Sequence, residues 1–381
     1  MASIMGGSFD PLENPNIDAE QSMLIRDFLD QIGLSERSIE TVAVTSSDGS
    51  SDIDSLEPFT LPDTMTAATI LAPEGEQISL SLNPDSATGQ ILIVQGSGDA
   101  LIAGGSGGDK VQAGSGNDTV NAGSGDDLVR GGIGDDLVRG GSGSDHLAGG
   151  IGDDVIYGNM GSDTLSAGGG ADSLFGGQGE DCISGGDGSD FLMGNRGADI
   201  VYGNIGNDII YGNQQNDRLY GGAGGDTLYG GQNDDTLQGG RGSDALYGNL
   251  GGDIIYGNQQ NDVIFGGADG DTLYGGQSND TLEGGRGDDA LHGNLGGDQF
   301  VFRTNSGVDV IYDFVAGTDT IRVAAGINGL SVAEPADLAG RISSDAQGNA
   351  VIDFGNGNVV TIDGLNANDL LGDISSYISV G

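Results

Sequence analysis

From residue 109 to residue 300 one large apolar position recurs every nine residues without a break: Val111, Val120, Val129 and on through Leu228 to Phe300. Two residues before each stands an Asp. The six residues ending at that Asp mostly read Gly-Gly/Asn-x-Gly-x-Asp, as in GGIGDD at 131–136. A nine-residue period holding two glycines fits no helix; it is one supersecondary unit repeated in register. Gly permits positive φ and therefore a sharp turn. The three residues after each Asp then form a short strand whose middle side chain points inward. Two units complete one turn with a loop at each edge. The pattern thus predicts an all-β fold, a parallel solenoid with two nonapeptides per turn.

The flanks read differently. Residues 1–65 are acidic and Ser-rich, with one amphipathic helix predicted near Asp18–Ile32, where Met23, Leu24, Phe28 and Leu29 share a side. A linker is expected from Thr45 to Asp63. Residues 66–95 carry ATILA, ISLSL and ILIVQ between turn signals and read as a β cap. The repeat occupies 96–298. Asp99 precedes Asp109 by ten residues, so its unit is a transition. Residues 299–381 read as alternating strands joined by Gly/Asn turns, a second cap.

A longer repeat is nested in the first. Residues 208–252 match 253–297 at 36 of 45 positions. Forty-five residues are five nonapeptides, or two and a half turns, so each copied loop lands on the opposite edge. A coil with equivalent edges tolerates that; a single specialised face does not.

Composition narrows the chemistry. The net charge is −46, with Lys110 as the one lysine and eleven arginines. Such a chain does not bind nucleic acid by neutralising phosphate. It attracts cations, and without them self-repulsion and Gly entropy oppose folding. The single cysteine, Cys182, excludes an intrachain disulfide. No run of 18 apolar residues exists to span a membrane. The opening MASIMGGSFDPLENPN lacks the basic and apolar regions of a Sec leader.

The Asp residues fall into two columns. One edge carries Asp109, Asp127, Asp145, Asp163, Asp181, Asp199, Asp217, Asp235, Asp253, Asp271 and Asp289. The other carries Asp118, Asp136, Asp154, Asp172, Asp190, Asp208, Asp226, Asp244, Asp262, Asp280 and Asp298. Carboxylates stacked one strand spacing apart, about 5 Å, repel unless a cation intervenes. Carboxylates with loop carbonyls make a flexible, many-oxygen site. That favours Ca2+ over Mg2+, which needs tight octahedral geometry, and over Zn2+, which prefers N and S. Gln215, Gln260 and Ser278 replace the Gly two before Asp217, Asp262 and Asp280, and these loops are the expected weak points. Asn at 159, 195, 204, 213, 249, 258 and 294 tolerates the left-handed backbone.

Residues 96–298 resemble the β-roll of the RTX (repeats-in-toxin) family, through the in-register nonapeptide itself. The resemblance implies Ca2+ bound between successive turns by Asp at i and i+18, with about twenty sites along the two columns. It also implies export by type I secretion machinery with an uncleaved C-terminal signal. The stretch VDVIYDFVAGTDTI resembles the cap of such proteins, and SSYISVG has an apolar finish, though its closing Gly departs from the usual ending.

An enzyme finds little support. His146 and His292 both lie in repeats, so no HExxH exists. GGSGG at 104–108 matches the GxSxG elbow only formally. Residues three after Asp form aromatic columns: Tyr211, Tyr229, Tyr247 and Phe265, and separately Tyr202, Tyr220, Tyr256 and Tyr274. Cross-strand stabilisation accounts for them; packing against a partner is the sharper alternative. The reading is a secreted, non-catalytic Ca2+-binding protein of a surface layer, matrix or adhesion system. An accessory or targeting module of an RTX toxin or enzyme system is the alternative. Self-association and cell-surface polysaccharide are the candidate contacts beyond Ca2+.

Overall fold

A computed structural model describes residues 77–82 and 89–381, with the strands Gly6–Ser8, Glu40–Val42, Phe59–Thr60 and Ala67–Ala72. The helix expected near Asp18–Ile32 lies outside the described residues. The chain divides into two compact units, 1–192 and 193–381. Both are parallel β-solenoids.

In the first unit, strands from Lys110–Ser115 to Cys182–Asp187 alternate between two sheets. The register is strict: Leu128 pairs with Lys110 and His146, and Leu137 with Thr119 and Val155. Each partner is 18 residues away, so two nonapeptides make one turn. The interior is a pile of single aliphatic side chains from each sheet. Val111, Val129, Leu147 and Leu165 come from one, and Val120, Val138, Ile156 and Leu174 from the other, none more than 2 % exposed. Strands Ala67–Ala72, Ile78–Ser81, Ile91–Gly96 and Ala100–Gly105 extend both sheets at irregular spacing. Ile70, Leu92, Ile93 and Ile102 continue the core there.

The second unit repeats this from Ile200–Ile205 to Ala290–Leu295. Strands Gln299–Phe302, Val308–Ile311 and Thr320–Val323 then add to the same sheets. The antiparallel hairpin Asn349–Gly355 and Asn358–Asn366 follows, close to the expected strands. Two short helices, Ala367–Gly372 and Ile374–Tyr377, precede strand Ile378–Val380. Phe302, Phe354, Leu338 and Leu370 are buried around the hairpin.

Outside the core, aromatic side chains stack along neighbouring strands. Tyr211, Tyr229, Tyr247 and Phe265 lie 4.7–5.0 Å centroid to centroid. Tyr256, Tyr274, His292 and Tyr312 form a second ladder at 4.6–4.9 Å. Stacked cross-strand pairs of this kind stiffen a thin sheet.

With one aliphatic side chain per nonapeptide, each core position matters. Leu228 is fully buried and sits in register between Ile210 and Leu246. Leu228→Ala is expected to cost about 2–5 kcal/mol, read as a lower midpoint in chemical denaturation at fixed Ca2+.

Candidate metal centres

The loops explain their own glycines. In 131–136, Gly132 and Gly134 have φ of 132° and 127°. A Cβ on Gly132 would lie 1.8 Å from the carbonyl oxygen of Gly114, and one on Gly134 2.3 Å from that of Gly116. A Cβ on Gly131 would meet Asp136 Oδ2 at 2.2 Å and the Gly149 carbonyl oxygen at 2.8 Å. Glycine therefore leaves a cradle in which loop carbonyls and the Asp side chain come close together. Asn takes the second Gly position with φ between 65° and 85°, as expected. Gln215, Gln260 and Ser278 also adopt φ of 75°, 71° and 82°.

Every Asp in the two columns is at most 3 % exposed. Within the first unit Asp109, Asp127, Asp145, Asp163 and Asp181 share one edge, and Asp118, Asp136, Asp154, Asp172 and Asp190 the other. Within the second, Asp199, Asp217, Asp235, Asp253, Asp271 and Asp289 share one edge, and Asp208, Asp226, Asp244, Asp262, Asp280 and Asp298 the other. Within each unit the backbone N–H of one Asp donates to the carboxylate one turn on: Asp118 to Asp136 Oδ1 at 2.7 Å, Asp226 to Asp244 Oδ1 at 2.8 Å. The loops at Asp217, Asp262 and Asp280 make the same bonds at 2.8–2.9 Å.

The other carboxylate oxygen is the informative one. Oδ2 of Asp118, Asp136, Asp154, Asp226, Asp235, Asp262 and Asp271, among others, is buried with no hydrogen-bond partner. A buried anionic oxygen left unsatisfied is costly. Burial raises Asp118 to about 9, partly offset by the Ala100 N–H, with neighbouring carboxylates adding to the rise. Asp217, Asp235, Asp262 and Asp271 rise to about 8 for the same leading reason. Among the described residues no three His, Cys, Asp or Glu side chains converge on a point. A cation held here draws on carboxylate Oδ2 atoms and loop carbonyls together. Those hard oxygens fit Ca2+.

A second ladder escapes the sequence pattern. Asp99, and many of the Asp, Asn and Ser residues that precede a column Asp, accept a bond from the backbone one turn on: Asn117 N–H to Asp99 Oδ1, Asp135 to Asn117, Asp153 to Asp135, each at 2.9–3.0 Å. It runs opposite to the buried ladder and lies exposed. Its signal was the frequent Asp, Asn or Ser at that position, side chains that readily accept backbone bonds. The buried ladder also outlasts the repeat. Asp289 N–H donates to Asp309 Oδ1 at 3.1 Å and Asp298 N–H to Asp319 Oδ1 at 3.0 Å. Ile311 and Ile321, each two residues later, were the signal for these.

Ser106 lies in a loop between strands Ala100–Gly105 and Lys110–Ser115, with no helix after it. His146 points outward, and His292 is stacked between Tyr274 and Tyr312. Cys182 is exposed and free. No helix among the described residues is long and apolar enough to cross a membrane.

Fold and loops together define a class: a parallel β-roll whose turns are joined at both edges by buried carboxylate columns suited to a hard cation. Residues 95–300 match the model of the RTX calcium-binding nonapeptide repeat in seven overlapping or abutting segments, from 95–129 to 265–300. The chain belongs to that family, and its repeat is a calcium-binding one. No curated protein matches it.

Proposed function

We propose that this chain is a secreted, non-catalytic scaffold. It stays unfolded over the repeat at low Ca2+, passes the type I secretion machinery and folds on meeting Ca2+ outside the cell. There it serves as a surface-layer, matrix or adhesion component. The observation that carries this reading is the set of buried Asp Oδ2 atoms without partners in a chain of net charge −46. Such a ladder is unfavourable without cations and favourable with them, and binding free energy becomes folding free energy. The Asp residues of both columns are the proposed ligands. The domain plan is a β cap at 66–95, the roll at 96–298 and a cap carrying the secretion signal at 299–381.

The scaffold role draws on the outer faces. In a chain this acidic, Ile209, Tyr211, Thr227, Tyr229, Ala245, Tyr247, Val263 and Phe265 form a strip without charge on one sheet. Such a strip suits self-association or a polysaccharide surface. Electron microscopy of the Ca2+-loaded protein is expected to show ordered assemblies. Strict monomers at high concentration would instead favour the accessory or targeting module. Removing residues 320–381 is expected to abolish export, and continued secretion would refute a C-terminal signal.

A further inference from the structure

Residues 304–309, Thr-Asn-Ser-Gly-Val-Asp, lie beyond the matched repeats, which end at 300. They follow the preceding Asp by eleven residues rather than nine. The backbone is nevertheless that of a repeat loop. Asn305 has φ 66° and Gly307 φ 98°, the two left-handed positions of the nonapeptide. A Cβ on Gly307 would lie 1.8 Å from the Gly287 carbonyl oxygen, the same contact that Gly287 makes with Asp269 at 1.9 Å. The bonds recur one by one. Gly287 N–H donates to the Ser306 carbonyl at 3.1 Å, Val308 N–H to Asp288 Oδ1 at 3.0 Å, and Val310 N–H to the Asp289 carbonyl at 2.8 Å.

At the Asp109 and Asp319 ends of the columns the chain itself closes the carboxylate, whereas Oδ2 of Asp118 at the start of the second column stays open. Asp109 Oδ2 accepts from Gly105 N–H at 2.9 Å. Asp319 Oδ2 accepts from Val315 N–H at 2.7 Å. Both oxygens of Asp313 accept backbone bonds at 2.9 Å. Asp309 differs. It is 1 % exposed, and its Oδ2 is buried with no hydrogen-bond partner. Ser306, three residues earlier, is buried and turns its hydroxyl to the Asp309 carboxylate, the one group Oγ meets. Asp309 pairs on its far side with Val360, so its column ends there. Its carboxylate neighbours are Asp289, whose Oδ2 is likewise buried, and Asp288, whose Oδ1 already accepts from Val308 N–H. Thr304, which stands where repeats carry the first Gly, is exposed.

We propose that Asp309 and Ser306 Oγ, with the carbonyls of loop 304–309 and the facing Asp289, form a further site for a hard divalent cation of the Ca2+ class. This rests on the reading of the Asp columns as Ca2+ ligands and extends it past the nonapeptides. The site ties the C-terminal cap to the last repeat turn, so the cap would dock only when the ion is present.

The test uses the full chain with Ca2+ alone as probe. Native mass spectrometry at saturating Ca2+ is expected to show Asp309→Asn carrying one ion fewer than wild type, and Asp319→Asn carrying the full number. Equal counts for wild type and Asp309→Asn, or the same loss in Asp319→Asn, overturn the proposal. Should Asp309→Asn not fold, a crystal structure of the Ca2+-loaded wild type decides. An ion about 2.3–2.6 Å from Asp309 Oδ2 supports the site, and none there refutes it. A wild type that binds no Ca2+ at all removes the column reading too, whereas a wild type that binds many ions but none at Asp309 removes this site only.

Discussion

Moving the protein from millimolar Ca2+ into excess chelator is expected to abolish the β signal of residues 96–298 in far-ultraviolet circular dichroism and to expand the chain. Returning Ca2+ should restore both. Two features of the roll drive this. The first is how little each nonapeptide buries: one aliphatic side chain, such as Leu237 or Ile255, for nine ordered residues that include several Gly. Gly loses more conformational freedom on folding than any other residue. The second is the carboxylate spacing. At one strand separation and an effective dielectric near 20, adjacent ionised Asp side chains repel by about 3 kcal/mol per pair. Basic groups offset little of this among the described residues: His146 acts on Asp163, and the ion pairs Arg303–Glu283 and Arg341–Asp353 lie off the columns. A divalent ion between turns converts the repulsion into attraction and satisfies the orphaned Oδ2. A β signal unchanged by chelator would sink the claim that Ca2+ folds the roll.

Much of this architecture was legible in the sequence because a solenoid maps periodicity directly onto position. The nine-residue period placed Val111 and its successors inside, and the 18-residue register followed from two strands per turn. The Asn substitutions were readable because Asn tolerates positive φ on its own account. The Gln and Ser substitutions leave the loop backbone in place for a physical reason. Gln215, Gln260 and Ser278 point into solvent, so their cost is the backbone penalty alone, about 1–2 kcal/mol. The ladders on either side impose that conformation, and the loops at Asp217, Asp262 and Asp280 keep the common geometry. Asp309 and Asp319 escaped because spacings of eleven and ten residues broke the period while the three-dimensional register survived. A period detects equal chain lengths; hydrogen bonding tolerates a loop that bulges by one or two residues. The helices Ala367–Gly372 and Ile374–Tyr377 had no periodic signal to find, being one or two turns long.

Acid should substitute for Ca2+. Many of the column carboxylates have folded-state pKa values above the ordinary 3.8, led by burial: about 6 for Asp145, Asp172, Asp226 and Asp244, about 8 for Asp235 and Asp271, about 9 for Asp118. Between pH 4 and 9 the folded chain therefore binds more protons than the unfolded one. By linkage its stability falls as pH rises through that window. The direction is opposite to that of a salt-bridged carboxylate, whose depressed pKa makes acid destabilising. In chelator, circular dichroism is expected to show β structure near pH 5 that is lost progressively between pH 6 and 9. With saturating Ca2+ the same titration should be flat in that range, because the ion replaces the proton at Oδ2. Below it, protons and Ca2+ compete for one atom, so Ca2+ affinity should weaken as pH falls towards 5. A chelated chain that is equally unfolded at pH 5 and pH 8, or better folded at pH 8, would show that burial of these carboxylates is not what opposes folding. Cation dependence would then have to come from somewhere other than the Asp columns.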